Sequence, residues 1–125
     1  IHSNALLASV AAECANEQEK FKEMHDRLFE NQNEWNSKNT DNLIILFNQY
    51  SLEMEMEKEK FDSCLKNGKY IKEIQKDLED GRTYGVSGTP SFFIGNDKIG
   101  FMELKGAHPF ENFKNVIDTQ LKKIK

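Results

Sequence analysis

The sequence has 125 residues, a length that suits one domain, with 38% apolar and 30% charged side chains. Its net charge of −4 arises from 17 basic and 21 acidic residues mixed along the chain, so no basic stripe invites nucleic acid, and that class of partner is excluded. No apolar run approaches the ~20 residues that span a bilayer.

The opening Ile1-His2-Ser3-Asn4, with no initiator Met, reads as the interior of a longer protein, and no signal peptide is visible. Apolar periodicity is then helical almost to residue 84. Ser3 or Asn4 can cap a first helix whose inward face is Leu7, Val10, Ala11 and Cys14. A second helical stretch begins around Asn16–Glu19, with the stripe Phe21, Met24, His25, Leu28 and Phe29. The Asn-rich segment Asn31–Asn39 reads as a loop anchored by Trp35. Thr40 or Asp41 caps a third helix carrying Leu43, Ile44, Leu46, Phe47 and Tyr50. The charge-rich run Glu53–Lys60 reads as a solvated helix start. A fourth helix runs from about Met56 to Asn67 with Phe61, Cys64 and Leu65 inward, and Gly68 supplies its left-handed end. A fifth runs from about Lys69 to Tyr84 with Tyr70, Ile71, Ile74 and Leu78 inward, until Gly85 stops it. Gly81 within it marks either a weak point or a close packing contact.

The pattern changes after Gly85. Ser91-Phe92-Phe93-Ile94 predicts a short strand, Gly95-Asn96-Asp97 a turn, and Lys98–Leu104 an antiparallel second strand. His108-Pro109 leads into a last helix, with Pro109 in its first turn and the stripe Phe110, Phe113, Val116, Ile117, Leu121 and Ile124. A lone hairpin is marginal, so one hairpin face needs further cover. Phe92, Ile94, Ile99 and Phe101 are expected on that face, which predicts self-association through the hairpin.

The segment Gly85-Val86-Ser87-Gly88-Thr89-Pro90-Ser91-Phe92-Phe93-Ile94 carries the chemical signal. A bare Thr-Pro is a loop before a strand. With Gly-Val before it and Phe-Phe-Ile after it, the segment resembles the cis-proline segment of DsbA-like thioredoxin-fold thiol:disulfide oxidoreductases. Lys105-Gly106-Ala107 and the terminal helix fit the same pattern. So do Ala11-Ala12-Glu13-Cys14-Ala15 and Phe21-x-x-Met24-His25-x-x-Leu28-Phe29, which resemble the family's helical insertion. The resemblance implies an α/β fold, namely a partial thioredoxin fold. Residues 1–84 would be a helical insertion of about five helices. Residues 85–125 would be the closing β-hairpin and helix of the same domain.

The resemblance also implies a substrate site at Val86, Ser87, Gly88, Thr89 and Pro90, with Pro90 cis. An X-Pro bond is the one peptide bond that adopts cis cheaply, at roughly 0.5–1 kcal/mol. The backbone of Thr89 would pair with an extended substrate, a short form of strand addition. The family's reaction is thiolate attack on a disulfide, performed by a Cys-x-x-Cys at a helix start. No such motif occurs in these 125 residues, so it is expected upstream, and the chain alone is expected to be inactive. Partners implied are protein or peptide thiols and disulfides and a redox partner protein, in an extracytoplasmic compartment. No cofactor is implied. Two other readings use the same fold: a non-catalytic peptide-binding module, and a kappa-type glutathione transferase or isomerase.

Cys14 and Cys64 lie too far apart in sequence for a redox dithiol motif. Three readings stay open: a structural disulfide, two inert buried thiols, or metal ligands completed by His25. His25 otherwise reads as a core or boundary histidine, His108 as part of a helix entry, and Phe92 as a border of the substrate groove.

Overall fold

A computed structural model describes residues 3–125, so Ile1 and His2 lie outside the described residues. The elements in chain order are α1 (Ala5–Asn16), α2 (Phe21–Glu30), α3 (Gln32–Trp35), α4 (Thr40–Glu53), α5 (Lys58–Asn67), α6 (Ile71–Thr83), β1 (Ser91–Asn96), β2 (Gly100–Lys105) and α7 (Phe110–Ile124). They divide into two compact units, Ile1–Leu78 and Glu79–Lys125.

The first unit is helical and holds the core. Its Ala-rich α1 buries Ala8, Val10, Ala11, Ala12, Cys14 and Ala15, and these small side chains let α2 and α5 pack against it. Met24 and Leu28 of α2, Leu43, Phe47 and Tyr50 of α4, and Phe61 and Leu65 of α5 complete the interior. Full burial of side chains of this size stabilises by about 1.5–3 kcal/mol each. Trp35 is buried, as its anchoring role required, and its Nε1–H donates to the Leu28 carbonyl at 2.9 Å.

Local chemistry shifts several expected boundaries. Asn4 occupies the N-cap position of α1 without capping it. Its Nδ2 instead donates to the Trp35 and Lys38 carbonyls at 2.7 and 2.9 Å, tying the start of α1 to the Asn-rich segment. That segment is not all loop, because α3 makes one turn within it. Asn39, rather than Thr40 or Asp41, caps α4, and its side chain accepts from the Asn42 N–H at 2.9 Å. Gly68 ends α5 in the left-handed region, at φ 59° and ψ 38°.

The α2 stripe is corrected in part. Met24 and Leu28 are buried, but Phe21, His25 and Phe29 are exposed. They stand one helical turn apart and stack on each other, with ring centroids 5.9 and 4.9 Å apart. Leu78 is also exposed, and α6 has no fully buried residue.

In the second unit β1 and β2 pair antiparallel, with Ser91 opposite Lys105, Phe92 opposite Leu104 and Ile94 opposite Met102. Asn96 Oδ1 accepts from the Lys98 and Ile99 N–H groups at 2.9 and 3.1 Å and shapes the turn, so β2 starts at Gly100 rather than Lys98. Strand parity corrects the expected uncovered face. Phe92 and Ile94 share a face with Met102 and Leu104, and Phe92 meets Phe113 of α7 edge-on at 4.9 Å. Phe93 and Phe101 lie on the opposite face, 41% and 55% exposed. The α7 stripe packs only in part: Phe113 and Val116 are half-buried, while Phe110, Ile117, Leu121 and Ile124 are exposed.

The one buried side chain among the described residues of this unit is polar. Gln120 of α7 donates through Nε2 to the Ile94 and Gly100 carbonyls at 2.8 and 3.0 Å, which clamps the helix to the closed end of the hairpin. Gly95 permits that clamp, because a Cβ there would stand 2.0 Å from the Gly100 carbonyl oxygen and 2.7 Å from Gln120 Nε2. Gly95→Ala therefore overpacks backbone against backbone. It is expected to destabilise the chain by about 3 kcal/mol in urea unfolding, with loss of hydrogen-exchange protection in β1 and β2.

Candidate functional site

The chemistry-bearing segment begins where α6 ends. Gly85 has φ +77°, its N–H donates to Arg82 O at 3.0 Å, and the Val86 N–H reaches back to Gly81 O at 2.8 Å. This pair of bonds is a Schellman end, which only glycine at the left-handed position closes cheaply. Gly81 itself has ordinary room, since a Cβ there would meet Val86 Cβ at 3.9 Å. Of the two readings of Gly81, the close packing contact is therefore not the one that applies.

After this stop the chain runs exposed through Ser87, Gly88 and Thr89 to Pro90, and the Thr89–Pro90 peptide bond is cis. Two bonds fix the segment against the hairpin. Ser91 Oγ donates to the Gly88 carbonyl at 2.6 Å, and the Gly106 N–H donates to the Pro90 carbonyl at 2.8 Å. The Thr89 N–H and C=O have no backbone partner among the described residues. Thr89 thus leaves a main-chain donor and acceptor free beside a paired strand, which is what an added extended segment needs.

A cleft of about 260 Å³ lies along this segment, lined by Ser87–Ser91 with Lys105 and Gly106. Of the residues expected at the site, Ser87, Gly88, Thr89 and Pro90 line it together, whereas Val86 is half-buried and does not. Phe92, expected as a border, turns toward Phe113 instead. Lys105 and Gly106 belong to the cleft through the hairpin register, which sets Ser91 opposite Lys105. His108 supports them. Its Nε2 bonds the Lys105 carbonyl, and its Nδ1 lies 3.1 Å from Asn112 Nδ2.

The two cysteines are elsewhere, in the helical unit. Cys14 and Cys64 form a disulfide with a Cα–Cα distance of 5.8 Å, so neither the inert-thiol nor the metal-ligand reading applies to them. Neither presents a thiol for exchange. Beside the bond, Glu17 Oε1 accepts from Lys69 Nζ at 2.7 Å and from the Tyr70 hydroxyl at 2.8 Å. The Lys69 bond, and next the Tyr70 bond, hold the Glu17 carboxyl below its ordinary range. The same contact raises both Lys69 and Tyr70.

A depressed carboxyl contributes stability above its unfolded pKa and loses it as pH falls through the folded value. Glu17→Gln should therefore destabilise the chain near neutral pH, with the deficit shrinking by about pH 3. Urea titrations at both pH values check this, and equal deficits would exclude the linkage. Reducing the disulfide opens a loop with a sequence separation of 50. On the chain-entropy account that lowers unfolding free energy by about 4 kcal/mol, measurable with and without a thiol reductant.

A family described as thioredoxin matches residues 2–119. Over 94 residues, 75% of the chain, the sequence is 33% identical to the Na(+)/H(+) antiporter NhaA 3 of Salinispora tropica, and the match spans 13% of that protein's length. No solved structure matches. Among the described residues no helix is long and apolar enough to cross a membrane. The cis-proline hairpin, the helix that follows it and a family match running nearly end to end have one reading: the chain belongs to the thioredoxin family.

Proposed function

We propose that this chain carries the substrate-holding part of a DsbA-like thiol:disulfide oxidoreductase that acts on protein disulfides. The observation that carries the reading is the exposed Thr89 backbone next to a cis Pro90, held at the mouth of a cleft by the Pro90–Gly106 bond. The nucleophile would come from a Cys-x-x-Cys outside these 125 residues. Its thiolate attacks one sulfur of a substrate disulfide, a mixed disulfide forms, and the other substrate sulfur leaves as a thiolate. The second cysteine then attacks the mixed disulfide, which releases reduced substrate and leaves the enzyme oxidised; the reverse sequence oxidises a substrate dithiol. Thr89 would hold the substrate strand while these bonds exchange.

An extracytoplasmic location is part of this proposal. The Cys14–Cys64 bond supports it, because structural disulfides persist in oxidising compartments. Partners would be extended thiol or disulfide peptides and a redox protein that resets the cysteine pair. The exposed Phe93 and Phe101 face is where the remaining sheet, or a second copy of the chain, would pack.

The test uses the natural protein that contains this chain. Paired cysteines should lie upstream of Ile1, and the protein should exchange disulfides with a peptide substrate. Thr89→Arg, which fills the groove with a bulky cation, should lower kcat/KM for peptide substrates by about tenfold while leaving the reaction with a small thiol reagent unchanged. Peptide binding with no cysteine pair would assign the non-catalytic module instead. Absence of both would end the proposal.

A further inference from the structure

We propose that Lys105 makes the Thr89–Pro90 cleft select extended peptides that carry an acidic side chain beside the segment lying along Thr89. This rests on the groove reading above and adds a charge preference to it.

Lys105 is the charged residue among those lining the cleft. Register places it at the end of β2 opposite Ser91, and its carbonyl is held by His108. Its backbone position is therefore fixed while its side chain, 63% exposed, is free to reach a ligand. An exposed ion pair joins Lys105 Nζ to Glu103 Oε1 at 3.7 Å, longer than a direct hydrogen bond, so Glu103 holds the ammonium weakly. A ligand carboxylate within hydrogen-bond reach of Nζ competes with Glu103 for it.

The rest of the lining presents unpaired main-chain groups of both kinds, since the carbonyls of Ser87, Thr89 and Gly106 also have no backbone partner among the described residues. The N–H groups of Ser87, Gly88 and Thr89 have no backbone partner among the described residues. The carbonyls of Gly88 and Pro90 are already bonded, to Ser91 Oγ and to the Gly106 N–H. An arriving strand consumes one donor and one acceptor at Thr89. The charged group that remains is the Lys105 ammonium, and a carboxylate is the side chain that pairs with it. A Lys or Arg at the same place would face Lys105 as a like charge.

An exposed pair of this kind gives a modest discrimination, about two- to fivefold at low salt. It should fade as the screening length shortens to about 3 Å in 1 M salt. The measurement is an amide-resolved NMR titration of the full chain with two blocked, cysteine-free extended peptides that differ only in one Glu or Lys. The shifts of Gly88, Thr89 and Gly106 are followed. The Glu peptide should bind more tightly, Lys105→Met should abolish the difference, and Lys105→Glu should reverse it. Equal affinities with clear shifts at Gly88 and Thr89 would overturn the charge preference and leave the groove standing. A preference that survives Lys105→Met would overturn the role of Lys105. If neither peptide shifts Gly88 or Thr89, the groove reading fails together with the preference.

Discussion

The bond from the Gly106 N–H to the Pro90 carbonyl joins the two strands of chemistry in this molecule, the proline segment on one side and the end of β2 on the other. Without it the cleft has one wall. The bond depends on register, since Ser91 must stand opposite Lys105 for residue 106 to reach residue 90. A slip of one residue would send every side chain of a strand to the wrong face. Register in turn is set at the far end of the hairpin, by Asn96 folding the turn and by Gln120 bonding the Ile94 and Gly100 carbonyls. The residues that shape the cleft are therefore held by groups that never touch it.

The two units solve different problems. The helical unit has a dry interior of Phe47, Phe61, Met24 and Leu43, and the Cys14–Cys64 bond staples α1 to α5 across it. Glu17, bound by Lys69 and Tyr70, adds a polar seal beside the staple. The hairpin unit has no fully buried apolar side chain among its described residues and is organised by hydrogen bonds to Gln120, Asn96 and His108. Hydrogen bonds carry direction where apolar contacts do not, so this unit fixes its main-chain groups in one orientation without a dry core.

How far the sequence was legible follows from the range of the forces involved. Gly68, Gly85 and the Asn96 turn act within a few residues, so spacing alone located them. The proline segment was legible through its resemblance to a known pattern, and the thioredoxin match agrees with the fold that it implied. The cap at Asn39 was misplaced by one residue, because Thr40 and Asp41 beside it are equally good acceptors and only backbone geometry decides. Phe21 and Phe29 belong to the α2 stripe and yet lie exposed, because apolar periodicity reports which residues share a helix face and not whether anything covers that face. Phe92 and Phe101 do not share a face because pairing sets even-numbered residues of β1 opposite even-numbered residues of β2, which leaves Phe101 on the face of Phe93.

Lys105 belongs to the same class of long-range information. The sequence marks it only as part of Lys105-Gly106-Ala107, and a lysine at the end of an alternating strand is an ordinary edge residue. Its place in the cleft appears only when pairing brings it opposite Ser91, beside the unpaired main-chain groups of the proline segment. In the proposed groove, the motif supplies the main-chain groups at Thr89, and pairing brings beside them the charge that the motif itself lacks.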